Sequence, residues 1–200
     1  MNNEQIFESS FNRLPPSVND YVKPSVGWRN DAGEQKAYAY MYETKNSKDF
    51  KKIFREHLFR EILNKNWDKN ITAEGHWILD LEFVQSNTGE DSSNYIKILL
   101  DAMTGYIYDD DKNIMPRINR VTYNKKSPRF SFSLKRSETR GVFDNEEDRN
   151  KLINNQCISC RFYRDGKCSI LKDLTIGKEK EEYSATDNYC NKYIKKKGLK

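Results

Sequence analysis

The chain has 200 residues, 32% of them charged and 36% hydrophobic, with 12% aromatics and a formal net charge of +5. That apolar and aromatic content excludes a disordered chain, and the length allows one ordinary domain plus a small appendage. No apolar run approaches the ~20 residues of a membrane span. The polar opening from Met1 to Ser10, with Glu4 and Glu8, is unlike a signal peptide. The expectation is a soluble cytoplasmic protein with no membrane partner, whose modest positive charge permits nucleic-acid binding.

In chain order, Leu14-Pro15-Pro16-Ser17-Val18-Asn19 is a rigid, extended approach leading to Tyr21. Tyr38, Tyr40 and Tyr42 alternate with Ala39 and Met41, which predicts a strand. From about Asn46 the spacing of Phe50, Ile53, Phe54, His57, Leu58 and Leu63 predicts a helix. Trp77, Leu79, Leu81 and Phe83 alternate as a half-buried strand ending before Ser86-Asn87-Thr88-Gly89. A short helix follows, with Ile96, Leu99, Leu100 and Met103 on one face and Asn94, Lys97 and Asp101 on another. Two more strands, at about Arg117 to Tyr123 and Arg129 to Lys135, are joined as a hairpin by Asn124-Lys125-Lys126-Ser127-Pro128. Another short helix is expected near Glu146 to Ile153. The whole reads as α/β, a mixed sheet with two main helices, plus a small C-terminal Cys-rich module stapled by metal.

The segment from Asp91 to Ile114 holds most of the chemistry. Asp91 stands at the start of its helix, Asp101 within it, and Asp109, Asp110 and Asp111 follow the Gly105 stop. A fold-back after Gly105 lets carboxylates from both ends converge, and hard oxygen donors beside Lys97 suit a magnesium ion and a phosphodiester. Singly, each residue has a plainer reading: Asp91 as a helix cap, Asp109 to Asp111 as a solvated turn, Lys97 as an i, i+4 partner of Asp101. Together, three adjacent carboxylates repel one another, and a cation is one reason to gather them.

From Leu14 to about Arg136 the chain resembles the RusA family of Holliday-junction resolvases of bacteria and their phages. Leu14-Pro15-Pro16-Ser17-Val18-Asn19 is similar to the family's proline-rich N-terminal motif. The Asp91 to Ile114 block is similar to its Asp-x-Asp-Asn-x-x-Lys, Asp-Ala-Leu and Asp-Asp-x-x-Ile/Val elements, in order and nearly in spacing. The resemblance implies catalytic roles for Asp91, Lys97, Asp110 and Asp111, with Asn94 and Asp101 in support. It also implies Mg²⁺ held by Asp91, Asp110 and Asp111, branched DNA as substrate, and a homodimer in the cytoplasm of a bacterial or phage-infected cell. Ser93 departs from the pattern, standing where the family has its second aspartate. The metal site is then one charge short unless Asp109, Asp101 or Glu90 compensates. Arg117, Arg120, Lys125, Lys126 and Arg129, with Lys135 and Arg136, are candidate contacts to the DNA backbone.

Outside the resemblance, Cys157-x2-Cys160-x7-Cys168 and Cys190 use every cysteine of the chain. Four thiolates suit structural Zn²⁺, with an iron–sulfur cluster as the rival and a disulfide pair last. Gly166 is placed for a tight turn before Cys168. Arg161, Arg164, Lys167, Lys172, Lys192, Lys195, Lys196, Lys197 and Lys200 make this end basic, suited to a DNA clamp or a protein-docking module. The expected organisation is a RusA-like domain at 1–140, a connector at 141–155 and the four-cysteine module at 156–200. Two functions follow: a Mg-dependent nuclease that resolves Holliday junctions or other branches, or the same scaffold, weakened at Ser93, kept for DNA or protein binding.

Overall fold

The structure is a computed structural model that describes residues 6–73 and 75–196; Glu4, Lys197 and Lys200 lie outside the described residues. It divides into a larger unit, residues 6–73 with Ile78–Lys135, and a smaller one, residues 75–77 with 136–196.

The larger unit opens with β1 (Phe7–Phe11) and α1 (Val18–Tyr21), whose N-terminal cap is the Ser17 hydroxyl accepting from the Asn19 N–H. Then β2 (Val22–Asp31) and β3 (Glu34–Glu43) form an antiparallel ribbon. Ala32 and Gly33, both with positive φ, give the turn that such a two-residue connection demands. The ribbon pairs with no other described strand. By register, Pro24, Val26, Trp28, Ala37, Ala39 and Met41 share one face, and Tyr38, Tyr40 and Tyr42 share the other with Lys23 and Arg29. The Tyr38 ring lies across Gly27, where any Cβ would meet it at 2.6 Å.

Helix α2 (Lys45–Lys65) starts at Thr44, whose hydroxyl accepts from the Ser47 N–H, and stops at Asn66 in the left-handed region. It buries Phe50, Phe54 and Leu58 but leaves Ile53 and Leu63 exposed, so its apolar face is narrower than its spacing predicts. His57 shares a 2.8 Å hydrogen bond with the Ser9 hydroxyl.

Strand β4 (Trp77–Gln85) leads through a 3₁₀ turn at Ser92–Tyr95 into α3 (Ile96–Met103), then β5 (Ile114–Tyr123) and β6 (Arg129–Arg136). The expected α/β architecture is present, with two corrections. The sheet order is β1-β6-β4-β5, so β5 and β6 are not a hairpin: β4 lies between them. The Asn124 N–H bonds the Gln85 carbonyl, tying the end of β5 to β4. On α3 the buried set is Ile98, Leu99, Ala102 and Met103, while Ile96 and Leu100 are only half-buried; the inward face is rotated from the i, i+3, i+4, i+7 set. Strand β1, unforeseen because its middle is polar, closes the sheet by pairing with β6, Phe7 opposite Leu134 and Phe11 opposite Phe130. The core is an aromatic cluster of Phe7, Phe50, Phe54, Phe83, Phe130 and Phe132.

The smaller unit contains α4 (Glu146–Leu152), α5 (Ser169–Thr175) and a two-stranded pair, β7 (Tyr183–Ser184) with β8 (Tyr189–Cys190). Its core is Phe143, Leu152, Cys157, Leu171 and Leu174. Two of these, Phe143 and Leu152, come from the stretch read as a connector. Gly141, at φ +65°, is where the chain passes Leu174: a Cβ there would stand 2.0 Å from the Leu174 carbonyl oxygen. Among the described residues no helix is long and apolar enough to cross a membrane.

Candidate active site

The loop after β4 is fixed by Glu90. Its carboxylate accepts from the Ser86 hydroxyl, the Tyr95 hydroxyl and the Asn87 amide, the last at 2.7 Å. Tyr95 is buried against Phe83, and burial followed by the Glu90 charge pushes its phenol pKa up. Asp91 then caps the turn: Oδ1 accepts from the Ser93 N–H at 2.9 Å and from the Ser93 hydroxyl at 2.8 Å. Those two bonds, hydroxyl first, hold the exposed Asp91 carboxyl below the usual carboxylate range. Ser93 therefore does more than lack a charge, because it occupies a lone pair of its neighbour. Asn94, half-buried, donates its backbone N–H to the Asp91 carbonyl.

One turn of α3 separates Lys97 from Asp101, and their side chains meet at 2.9 Å. The other Asp101 oxygen accepts from the Tyr21 hydroxyl at the end of α1. Lys51 on α2 donates to that same hydroxyl at 2.6 Å and pairs with Glu43 at 3.2 Å. Arg55, one turn further along α2, donates to the backbone carbonyls of Asp101 and Ala102 at 3.0 and 3.1 Å. Burial alone would raise the Asp101 carboxyl; bonds from Tyr21 and Lys97, with the charges of Lys97 and Lys51, outweigh it and hold the group low. Lys97 is raised, first by its bond to Asp101 and further by the charges of Asp101 and Asp111.

Past α3 the chain folds back as expected. Gly105 adopts φ +82°, the fully buried Tyr108 donates its hydroxyl to the Leu100 carbonyl, and Trp67 donates its indole N–H to the Ile107 carbonyl. The acidic run is then dispersed. Asp109 pairs with Lys69 at 2.5 Å, and Asp110 accepts from the Lys112 backbone and ammonium, each at 3.0 Å. Those contacts hold Asp110 below the usual carboxylate range, as its bonds with Lys112 dominate. Asp111 is half-buried; its backbone carbonyl accepts from the Ile114 N–H, but its side chain makes no hydrogen bond or ion pair among the described residues, yet its charge reaches Lys97 and Tyr108. Lys97, Asp101 and Asp111 are brought together electrostatically; Asp91, Asp109 and Asp110 are exposed and engaged elsewhere. Among the described residues no three His, Cys, Asp or Glu side chains stand as a group that could hold a metal ion. The three residues able to compensate for Ser93 are all engaged: Glu90 by Tyr95 and Ser86, Asp101 by Tyr21 and Lys97, Asp109 by Lys69.

Arg117 and Arg120 are exposed but, three residues apart on β5, project from opposite faces of the sheet. Arg120 shares a groove of about 310 Å³ with Arg129, whose guanidinium donates to the Ser127 carbonyl. Lys125 and Lys126 are exposed in the intervening turn.

In the smaller unit the Cys160 N–H bonds the Cys157 carbonyl, and Asp165 and Gly166, both at positive φ, turn the chain between Arg164 and Lys167 before Cys168. The Cys190 N–H is held by the Gln156 side chain at 2.7 Å. All four thiols are free of disulfides. Burial, then the neighbouring Cys168, Cys190 and Cys160, push the Cys157 thiol up to about 12. Cys168, Cys190 and Cys160 thus lie near enough to Cys157 to oppose its ionisation, while no group of three metal-binding side chains stands among the described residues.

Three residues of the site were missed from sequence: Tyr21, Lys51 and Arg55. The only signal was positional, Tyr21 directly after the proline-rich segment and Lys51 and Arg55 four apart on one helix face.

A family model described as Endodeoxyribonuclease RusA matches residues 22–134, more than half of the chain. The matched span begins after Leu14–Asn19 and ends before the cysteines. No curated protein matches the chain.

Proposed function

The chain belongs to the RusA family of endodeoxyribonucleases, and on that premise we propose that it hydrolyses phosphodiesters in branched DNA, four-way junctions above all, with Mg²⁺. The observation that carries this reading is the placement of Lys97: its ammonium is held by Asp101, while the unpaired Asp111 lies close enough to raise it. Mg²⁺ keeps several waters and needs only one or two carboxylates besides the substrate phosphate, so an open arrangement suits it. Asp111 and Asp91 would hold the ion, with Asp110 once Lys112 releases it. When bound, the ion polarises a phosphoryl oxygen and lowers the pKa of attacking water.

The protein's own part is positioning. Lys97 stabilises the charge that develops on the phosphate, where a fixed donor acts without reorganising. Asp101, gripped by Tyr21 and by Lys97 itself, fixes the direction of the ammonium. Incubating the protein with a synthetic four-way junction, with and without Mg²⁺, tests the assignment. Symmetric Mg-dependent nicks are expected, and an intact junction at every metal concentration overturns it.

One observation favours the second reading, a scaffold kept for binding. Ser93 lacks the family carboxylate and draws on Asp91, and none of the candidate compensators is free. Junction binding without cleavage is its signature.

We further propose a homodimer, since two opposed cuts need two sites. The apolar stretch of one ribbon face supports it: Val26, Trp28 and Met41 are 61%, 65% and 60% exposed, and a two-stranded ribbon is marginal unless covered. We also assign Cys157, Cys160, Cys168 and Cys190 to Zn²⁺, with an iron–sulfur cluster as the alternative. The small size of the smaller unit, below what one core sustains without a staple, favours this assignment, as does the mutual proximity of the thiols. On this reading residues 141–155 belong with the module, to which they supply Phe143 and Leu152. Its basic surface leaves room for a protein partner or DNA.

A further inference from the structure

Helix α2 carries Lys48, Lys51, Lys52 and Arg55 at i, i+3, i+4 and i+7, which puts four cations on one stripe. They line a cleft of about 600 Å³ that Tyr106 and Phe59 also bound. Two carboxylates, Glu43 and Glu56, face the same space, leaving an excess of two positive charges.

The four cations are not equivalent. Lys51 is half-buried and committed to Glu43 and Tyr21. Arg55 is fixed by the Asp101 and Ala102 carbonyls and lies over the Tyr106 ring, 5.4 Å from its centroid. Lys48 and Lys52 are exposed and make no ion pair among the described residues. Like charges at this spacing repel, so the stripe is at a disadvantage until an anion sits between them. Through Lys51 and Tyr21 the cleft is linked to Asp101, and through Asp101 to Lys97.

We propose that this cleft is a second phosphate site, one that takes a backbone phosphodiester of the DNA strand next to the one under attack. Lys48 and Lys52 neutralise the phosphate, and Phe59, 56% exposed, offers its ring to the adjoining sugar or base. The inference rests on the nuclease reading for its ligand but concerns residues outside the candidate catalytic set. A bound phosphate here also fixes α2, and with it the Lys51–Tyr21–Asp101 chain.

The test is Lys48→Gln/Lys52→Gln, with junction affinity measured in EDTA across a KCl series and thermal melting as the folding control. Each lost phosphate contact lowers the magnitude of the slope of log K against log salt by about 0.9, so a fall of about 0.9 is expected for this one phosphate, with affinity weakened roughly tenfold at low salt. An unchanged slope and affinity overturn the site. Inorganic phosphate is the second probe, at constant ionic strength. If it raises the melting point of the parent but not the variant, and the DNA slope is unchanged, the cleft binds a free anion and the DNA assignment falls. Cleavage by the parent is scored separately. Loss of slope in a parent that never cuts sinks the nuclease reading alone, and cutting with an unchanged slope sinks this site alone.

Discussion

The Lys97 ammonium sits 2.9 Å from Oδ1 of Asp101, one helical turn away, while the Tyr21 hydroxyl takes the other oxygen of the same carboxylate. A surface i, i+4 pair alone contributes only ~0.2–0.5 kcal/mol. Here the acidic partner is half-buried and clamped from a second helix, so the pair fixes a direction rather than adding much stability.

Asp101→Asn should therefore damage rate more than fold. A drop in kcat of roughly 10-fold or more, with KM little changed, is expected from a loosened Lys97. Stability should fall by about 1 kcal/mol at pH 7, discounted because Lys97 is 60% exposed. The folded carboxyl is held low, so its contribution is present above the unfolded pKa of ~3.9 and is lost as pH falls through the depressed value. Urea unfolding of both proteins at pH 7 and below pH 3 should show the gap closing in acid; a constant gap rejects the linkage.

Asp111→Asn removes the unpaired carboxylate. Nicking of a four-way junction should disappear while binding in a gel shift persists. Cleavage at the parent rate would overturn the catalytic role proposed for Asp111.

Ser93→Asp places a carboxylate where the resemblance implies one and withdraws the hydroxyl from Asp91. The Mg²⁺ concentration for half-maximal cleavage should drop about tenfold, the equivalent of ~1.4 kcal/mol. Ser93→Ala, which only frees the Asp91 oxygen, separates the two contributions. No response to either change means that Ser93 is not what limits the site.

For the four cysteines, purified protein analysed by elemental mass spectrometry should contain about one zinc per chain, and chelation should lower the melting point of the smaller unit. In metal-free protein Cys157, at about 12, stays a thiol at pH 8 and should alkylate slowly; zinc uptake should release protons. Fast alkylation of Cys157 together with absent zinc would leave the module a purely apolar core.

Gly141→Ala should destabilise the smaller unit by at least about 2 kcal/mol, from the left-handed backbone and the collision with Leu174 together. A melting point unchanged by this substitution would mean that residues 141–142 do not pack as described.

Periodicity located α2, α3 and four strands, β3 to β6, because Phe50, Phe54 and Leu58, or Leu79, Leu81 and Phe83, announce their faces locally; α1, α5, β1, β2, β7 and β8 carry no such signal. It failed where the partner decides. Nothing in the Arg117–Lys135 segment says that β4 will intrude between two consecutive strands. The inward face of α3 was displaced because Tyr95, just before it, already fills the space beside Phe83. Val22–Asp31 gives no strand signal of its own, since Pro24 and Gly27 break any alternation. The acidic residues were legible as a set, but their lysine partners were not: Lys69 reaches Asp109 from 40 positions away. Tyr21 and Lys51 enter the site only through tertiary structure.

The sheet of the larger unit is closed by its earliest and latest strands, Phe7–Phe11 lying against Arg129–Arg136. During synthesis the first strand must wait for almost the whole unit to emerge before it finds an edge, and loops of that span close slowly. Trimming either end should therefore leave an open, sticky margin rather than a smaller folded unit, so this unit needs both strands to be expressed in soluble form.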